Sequence, residues 1–351
     1  MSHERYIVKT SKRSRFRTVL SATFLLFLVV GTIYIIRRHV ADAWYEQEGA
    51  VFGTYYHVKY RATADLHNQI QRELTRIDAT FSLFNKESLL SQINANRTDT
   101  TDTLFRTVFS LAQEVSQATN GAFDITVAPL VEAWGFGPAG NKTLPTDAVI
   151  DSLRSFVGFK KVQIVKTHVV KQDPRVQLDF SAIAKGLAVD GVAEVLHTAG
   201  AEDYMVEIGG EVVTRGKNPE GKLWTVGVVK PTTEDATIGL LQEVLSLSTC
   251  AMATSGNYLN FHKAGNTQVG HTIDPRTGRP VSHNLLSATV FAPTCATADA
   301  YATAFMVIGL DSARAIVESH KDIEAYFIYE DASGCHQVWR SEHMPKSVAG
   351  Q

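Results

Sequence analysis

Two oxygen-bearing side chains stand one helical turn apart near the carboxyl end of the chain. Asp299 and Thr303 are four residues apart in the run Ala296–Ile308, which is rich in alanine and predicts a helix. Both side chains would therefore lie on one face of that helix. A carboxylate and a hydroxyl are hard oxygen donors of the kind that Mg²⁺ binds. On spacing alone, a solvated aspartate beside a packed threonine is the more common arrangement.

A second candidate site joins a predicted strand to a predicted helix at Leu178–Gly186. The helix is expected to begin near Ser181, where free backbone N–H groups suit a phosphate. Lys185 adds a positive charge that could reach a diphosphate. An ordinary helix start with a surface lysine explains the same residues equally well.

A third candidate is the segment HTIDPRTGRP, residues 271–280. Its Asp-Pro and Thr-Gly pairs favour a tight loop. Such a loop can present His271 as an acid–base group. A plain hairpin turn with an exposed histidine is the alternative, and it is the more frequent one in isolation.

Aromatic residues in two neighbouring segments could stack on a planar ligand. The first segment is GAFDITVAP at residues 121–129, and the second is WGFGP at residues 134–138. Residues of this kind more often belong to a hydrophobic core. The segment ATSGNY at residues 253–258 also has two interpretations. It is either a turn or a place where small residues allow a ligand to approach closely.

The elements that must position these residues alternate without a regular βαβ order. Helices are predicted at residues 66–78, 102–119, 149–156, 181–199, 296–308 and 311–320. Strands are predicted at 51–60, 204–208, 211–215, 224–229, 245–249, 287–291, 325–329 and 337–340, with a hairpin between 162–170 and 175–180. This order favours an α+β fold, a mixed-sheet α/β arrangement, over a doubly wound parallel sheet.

The charge distribution excludes one large class of function. The chain has 351 residues and a formal charge of −2, but residues 1–40 hold eight basic residues against one acid. The remaining residues hold 26 bases and 35 acids, and this acidic body is unsuited to nucleic acid. The three cysteines form no CxxC pair, and Walker A, GxSxG and HExxH motifs are missing from the sequence. The run Gly135-Phe136-Gly137-Pro138 is too Pro-bound for a dinucleotide fingerprint.

The first fifty residues predict a membrane anchor. Residues 18–36 are uncharged and mostly apolar, long enough as a helix to cross a bilayer. Six bases precede this run and two follow it, so residues 1–17 are predicted to be a cytoplasmic tail. Residues 37–50 would be a linker and 51–345 the catalytic domain, facing the periplasm from the inner membrane. Cleavage near Ala43 after a signal peptide is the alternative.

Eight segments, in this order along the chain, resemble the ApbE family of FAD:protein FMN transferases. They are Phe52-Gly53-Thr54, FSLFNKESLLSQIN (81–94), GAFDITVAPLVEAWGFGP (121–138), LDFSAIAKGLAVD (178–190), EIGGEVVTRG (207–216), ATSGNY (253–258), HTIDPRTGRP (271–280) and TCATADAYATAFMVIG (294–309). The resemblance covers about residues 51 to 330 and implies an ApbE-like flavin transferase fold.

The resemblance also implies a role for each matching residue. The Mg²⁺ ligands would be the backbone carbonyl of Ala182 and the side chains of Asp299 and Thr303. His271 would lie beside the transferred phosphate and act, with Asp299, in catalysis. FAD contacts would fall to Phe52, Phe84, Ala122, Phe123, Asp124, Asp179, Lys185 and Ile273. The family usually has Met at the position of Phe52 and often Tyr at that of Phe84, so an apolar surface is kept while a hydroxyl is lost.

The activity implied by the resemblance is transfer of FMN from FAD to a threonine or serine of a target flavoprotein. A phosphoester forms, AMP leaves, and Mg²⁺ is required. Acceptors would be flavoprotein subunits of membrane redox complexes. Two alternatives stay open: an FAD pyrophosphatase that gives FMN and AMP, and a non-catalytic periplasmic flavin-binding protein.

Overall fold

The computed structural model describes residues 19–32, 42–137, 144–231, 241–257, 261–264 and 267–348. By its internal contacts the chain divides into two units. One unit takes in residues 1–43 and 62–65, and the other takes in residues 44–61 and 66–351. All the candidate site residues belong to the second unit.

The secondary structure of the described residues mixes helices and strands throughout. The helices are α1 (residues 19–32), α2 (His67–Phe81), α3 (Leu89–Asn94), α4 (Thr103–Ala118), α5 (Ala128–Ala133), α6 (Asp147–Arg154), a 3-10 turn (Phe159–Lys161), α7 (Ser181–Thr198), α8 (Cys295–Ile308) and α9 (Leu310–Ser319). The strands are β1 (Ala43–Val51), β2 (Thr54–Ala62), β3 (Val162–Val165), β4 (His168–Lys171), β5 (Tyr204–Ile208), β6 (Glu211–Arg215), β7 (Trp224–Val229), β8 (Leu241–Leu247), β9 (Cys250–Gly256), β10 (Phe261–Ala264), β11 (Thr267–Gly270), β12 (Ile273–Asp274), β13 (Arg279–Pro280), β14 (Leu285–Ala292), β15 (Glu324–Glu330) and β16 (His336–Arg340).

An eight-stranded sheet forms the centre of the second unit. Its strand order is β1-β2-β5-β6-β9-β14-β15-β16, and each pairing from β2 to β16 is antiparallel. Alternation explains why these segments become strands, since Tyr56, Val58 and Tyr60 of β2 are buried while the residues between them are not. The sheet therefore has two faces that must both be covered.

Helices cover one face of the sheet and a β-hairpin covers the other. The Phe327 ring of β15 meets Phe305 of α8 at a centroid distance of 5.5 Å. The neighbouring Tyr326 points to the opposite face, where it joins a buried cluster with Trp224 of β7 and Leu245 of β8. A strand buried on both sides fits the nearly continuous apolar run of β15. The mixed α/β architecture expected from the sequence is confirmed.

The predicted hairpin between 162–170 and 175–180 is wrong. The structure instead forms β3 and β4 inside the first segment, with Lys166 at φ 58° in the turn. The turn falls at the polar run Lys166-Thr167-His168, which separates two apolar pairs of the predicted strand. Residues 175–180 are irregular because the Asn94 side chain bonds both the N–H and the carbonyl of Leu178, at 2.7 and 2.8 Å.

The N-terminal part differs from expectation in one further respect. Strand β1 takes up most of the predicted linker, and its alternating exposure fits the edge position that it holds in the sheet. Residues 19–32 are helical. Among the described residues, no helix is both long enough and apolar enough to cross a membrane. The predicted anchor extends past the described helix at both ends, and the tail 1–17 lies outside the described residues.

Candidate active site

Most of the residues singled out from the sequence line one large cleft. The cleft has a volume of about 1280 Å³. Eleven of the twelve predicted site residues line it, although they come from segments spread over more than 200 positions of the chain. They are Phe84, Ala122, Phe123, Asp124, Asp179, Ala182, Lys185, His271, Ile273, Asp299 and Thr303.

Helices α7 and α8 bring the predicted metal ligands together by running antiparallel in close contact. The Gly186 N–H of α7 donates a hydrogen bond to the Asp299 carboxylate of α8 at 3.0 Å. A Cβ atom on Gly186 would lie 2.3 Å from the Cys295 carbonyl oxygen, so only glycine allows this approach. One turn towards the start of α7, Ala182 lines the cleft together with Thr303.

Asp299 is a buried carboxylate whose charge is balanced from across the helix pair. It is 4% exposed, and burial raises its pKa, while the positive charge of Lys185 and the Gly186 N–H oppose that rise. Burial works against the charged form of Lys185 too, but the carboxylates of Asp299 and Glu211 raise its pKa above the usual value. Lys185 therefore stays an ammonium at the wall of the cleft.

Glu211 of β6 is the second acidic partner of Lys185, and its role was not predicted from the sequence. Its side chain is 1% exposed, one oxygen accepts a hydrogen bond from Lys185 Nζ, and the other has no partner among the described residues. Burial and the nearby charge of Asp299 raise the pKa of Glu211 to about 8, against the opposing effect of Lys185. Two acids thus share one cation.

Asp124 organises the aromatic loop that follows α4. Its Oδ1 accepts hydrogen bonds from the Thr126 N–H at 2.8 Å and the Thr126 hydroxyl at 2.7 Å. Its Oδ2 accepts one from the Phe159 N–H at 2.7 Å. Burial raises the pKa of Asp124, and these bonds oppose the rise. Both oxygens are occupied, so Asp124 shapes the wall formed by Ala122 and Phe123.

Asp179 ties this loop to the start of α7. Its N–H donates to the Ile125 carbonyl at 2.7 Å, and its Oδ1 accepts from the Ser181 N–H at the same distance. The carboxylate therefore already satisfies one of the free N–H groups that the sequence analysis offered to a phosphate. The backbone of Ala182, the next residue, is fixed against the cleft as a result.

His271 lies directly before the short hairpin of β12 and β13, so the turn-forming residues build the hairpin turn that the sequence left as the alternative, with His271 half-buried. Asp274 accepts hydrogen bonds from its own loop, from the Arg276 N–H at 2.9 Å and through its carbonyl from the Gly278 N–H at 2.7 Å. Trp134 Nε1 donates to the Gly278 carbonyl at 2.8 Å and so connects the loop to α5. The His271 ring lies 6.3 Å from the Phe136 ring, centroid to centroid, and lines the cleft beside Ile273.

Of the two predicted aromatic contacts, Phe84 lies at the cleft and Phe52 is not among its lining residues. Phe84 lines the cleft with 80% of its side chain exposed, a large apolar ring open to a ligand. Phe52 is not among the residues that line the cleft. It is half-buried in the two-residue turn between β1 and β2, with φ 50°, followed by Gly53 at 75°. A contact between Phe52 and FAD stays a prediction.

The donor set fits a magnesium ion. It comprises one carboxylate, one hydroxyl and one backbone carbonyl, all oxygen, beside a cleft that can admit a phosphate and water. Among the described residues, no group of three or more His, Cys, Asp or Glu side chains could hold a metal by itself. The predicted set holds only one such side chain, Asp299, and so would rely on water or on substrate oxygens to complete the coordination.

Comparison with known proteins identifies the family. The family model described as "ApbE family" matches residues 52–327. This chain belongs to the ApbE family. Among curated relatives, the FAD:protein FMN transferase of Haemophilus influenzae is 37% identical over 302 residues, 82% of this chain and 86% of the relative. That of Vibrio cholerae is 37% identical over 309 residues, 85% of this chain and 91% of the relative.

Solved structures of the family have the same fold. The flavin transferase ApbE from Vibrio cholerae superposes with a TM-score of 0.76 at 34% identity, covering 86% of this chain and 97% of that one. The apo form of the Pseudomonas stutzeri flavinyl transferase ApbE gives 0.75 at 29% identity, covering 86% and 96%. The ApbE-like fold expected from the sequence is confirmed.

Two acids of this ApbE-family chain, the half-buried Asp190 and the buried Glu211, were missed by sequence reasoning. Asp190 and Glu211 each lie inside a segment that carries the resemblance, but neither has a neighbour in sequence that reveals its partner. Asp190 accepts hydrogen bonds from the N–H groups of Cys295 and Ala296, more than 100 residues away. The sequence signal that could have found them is a charged residue inside an otherwise apolar helix or strand. Such a residue needs a partner when it is buried.

Proposed function

We propose that this chain transfers the FMN half of FAD to a threonine or serine hydroxyl of a target protein, with Mg²⁺ as the required ion. The observation that carries the proposal is the convergence of eleven predicted site residues on one cleft. The names of the curated relatives, FAD:protein FMN transferase, support the same activity.

The cleft volume suits a substrate of this size. At about 1280 Å³ it is larger than the usual range for small ligands, roughly 300–1,000 Å³, as an extended dinucleotide requires. Phe84 at the mouth and Phe123 in the wall offer apolar surface to a planar ring. We assign them, with Ala122 and Ile273, to contacts with the flavin and adenine.

Transfer exchanges the phosphoanhydride bond of the FAD diphosphate for a phosphoester bond to the acceptor. The acceptor hydroxyl oxygen attacks the phosphorus of the FMN half, the bond from that phosphorus to the AMP oxygen breaks, and AMP leaves. The hydroxyl proton must go to a base, and we assign His271 to that task because its ring lines the cleft on a rigid loop. Asp124 and Asp179 hold the wall and the start of α7 in place by the hydrogen bonds described above.

Charge balance supports the requirement for Mg²⁺. The body of the chain is acidic, and the buried Asp299 already lies beside the ammonium of Lys185 at the cleft. A diphosphate would add further negative charge to this region. Bound between the Ala182 carbonyl, Asp299 and Thr303, the ion would neutralise charge on the phosphate oxygens and on the departing AMP.

The proposal extends to location. The uncharged run at residues 18–36, with its basic residues concentrated before it, supports a single-pass anchor in the inner membrane with the body in the periplasm. An anchored enzyme would meet flavoprotein subunits of membrane redox complexes at raised local concentration. Alkaline extraction of membranes tests the anchor: a chain released with peripheral proteins contradicts it.

One incubation tests the activity. The purified chain is mixed with FAD, MgCl₂ and a candidate acceptor, denatured, and separated on a gel that is read by flavin fluorescence. A fluorescent acceptor band that disappears with EDTA and with Asp299→Ala supports the proposal. Free FMN and AMP without a labelled band would make the chain an FAD pyrophosphatase. FAD that remains unchanged would indicate that the chain is a non-catalytic flavin-binding protein.

A further inference from the structure

Helices α7 and α8 meet at three levels, each one turn of helix apart. At the first level Asp190 of α7 meets the N-terminus of α8, and at the second Gly186 meets Cys295 and Asp299. At the third, Ala182 and Thr303 line the cleft. The residues on α7 are spaced by four, so they share one face of that helix.

Asp190 holds the first level by a two-oxygen contact. Its Oδ1 accepts from the Cys295 N–H at 2.8 Å and its Oδ2 from the Ala296 N–H at 2.9 Å. The next N–H of α8, that of Thr297, bonds the Thr294 hydroxyl at 3.2 Å. The N-terminus of α8 therefore has a local cap from Thr294 and a separate attachment to α7 through Asp190. Of these two contacts, only the attachment through Asp190 fixes α8 relative to α7.

The attachment matters because the second level depends on a close approach of the two helices. Gly186 and the Cys295 carbonyl are already too close for any Cβ, and the Gly186 N–H reaches the Asp299 carboxylate at 3.0 Å. A shift of α8 along α7 would break that hydrogen bond. It would also move Asp299 and Thr303 together relative to Ala182, the three groups assigned to the metal.

We propose that Asp190 is a positioning residue for the magnesium site: by fixing the N-terminus of α8 on α7, it sets the separation between the Ala182 carbonyl and the Asp299 and Thr303 side chains. This inference rests on the proposed function. Asp190 acts through α8, and it is not among the residues that line the cleft. Groups that orient the ligands of a metal change its affinity by about 10–100-fold when they are removed.

The test measures metal affinity directly, with Mn²⁺ as the probe. The purified full chain is titrated with MnCl₂ without FAD, and free Mn²⁺ is followed by its electron paramagnetic resonance signal; Mg²⁺ competition confirms the site. We expect Asp190→Ala to raise the Mn²⁺ dissociation constant at least about 10-fold. Asp190→Asn, which keeps one acceptor oxygen but turns a donor towards an N–H, should lie between the wild type and Asp190→Ala.

Asp102→Ala is the matched control. Asp102 is likewise a carboxylate at a helix N-terminus, accepting from the Phe105 N–H of α4 at 2.7 Å, and it is not among the cleft-lining residues. Its removal should destabilise the protein comparably and leave Mn²⁺ affinity within about two-fold of wild type. Equal weakening by both variants would overturn the inference, because it would reveal general destabilisation.

A kinetic measurement separates positioning from a direct role. For Asp190→Asn we expect the Mg²⁺ concentration for half-maximal transfer to rise while the rate at saturating Mg²⁺ returns to near that of wild type. A lowered maximal rate with an unchanged Mg²⁺ requirement would overturn the inference. A wild type that binds no Mn²⁺ would refute the metal site itself, whereas equal binding by wild type and both Asp190 variants would refute only the role of Asp190.

Discussion

Replacing Glu211 by glutamine should change how the stability of this protein depends on pH. Glutamine keeps an oxygen that can accept the hydrogen bond from Lys185 Nζ, and it has nearly the same shape. It cannot take up or release a proton. Comparing Glu211→Gln with wild type therefore isolates the titration of one buried carboxyl group.

The sign and size of the effect follow from the raised pKa. The carboxyl group of Glu211 has an ordinary pKa of 4.5 when exposed, as in the unfolded chain, and about 8 in the folded protein, because burial and Asp299 disfavour its charge. Between these values the folded state binds more protons at this group, so the contribution of Glu211 to stability is fully present below pH 4.5 and is lost as the pH rises towards 8. Each pH unit in that window lowers the free energy of unfolding by at most about 1.4 kcal/mol.

Coupling to its neighbours reduces the slope. Because Lys185 and Asp299 titrate together with Glu211, we expect a relative loss of roughly 1–3 kcal/mol between about pH 5 and pH 7.5. Glu211→Gln should lose correspondingly less stability over the same interval. Its stability at a single pH is less informative, since the buried amide adds an unpaired donor that destabilises equally at every pH.

Urea unfolding of the full chain, followed by tryptophan fluorescence at several pH values, measures the difference. The difference in unfolding free energy between variant and wild type should grow steadily with pH. Glu207→Gln is a suitable control, because Glu207 is a less buried carboxylate of the neighbouring strand β5 that accepts a hydrogen bond from the Gly210 N–H. A difference for Glu211→Gln that is constant across the range would refute the raised pKa.

Three further substitutions test the site. Asp299→Ala should abolish Mg²⁺-dependent transfer while circular dichroism stays native, and transfer at the wild-type rate would refute the metal assignment. His271→Ala should slow transfer but leave the FAD dissociation constant, measured by flavin fluorescence, unchanged; lost FAD binding would make His271 a binding residue. Gly186→Ala should lower the free energy of unfolding in urea by about 1–3 kcal/mol, because its Cβ would lie 2.3 Å from the Cys295 carbonyl oxygen. It should also weaken Mg²⁺ binding measured by calorimetry; unchanged Mg²⁺ affinity would show that α7 and α8 can separate without loss of the site.

The long helices and most of the central strands could be predicted from the sequence because their signals are local. Helix α7 was expected at 181–199 and lies at Ser181–Thr198, and α8 was expected at 296–308 and lies at Cys295–Ile308. Alanine-rich runs that end at Gly200 and Gly309 carry these signals within one window. The convergence of site residues followed from the resemblance to a family, not from spacing.

The failures involve interactions between distant residues. No local pattern shows that the Asn94 side chain would satisfy the backbone of Leu178, so the strand expected at 175–180 does not form. The partners of Asp190 and Glu211 lie 105 and 26 positions away. A buried charge is recognisable as unusual in a sequence, but its partner is set by tertiary structure.

The antiparallel contact of α7 and α8 has a consequence for biosynthesis. Lys185 and Ala182 are synthesised more than 100 residues before Asp299 and Thr303, yet all four line the same cleft. A chain that ends before α8 has the residues assigned to FAD contacts but lacks Asp299 and Thr303, two of the three predicted metal ligands. The predicted metal site is therefore completed only after nearly the whole polypeptide has been made, so FMN transfer is expected of the finished chain alone.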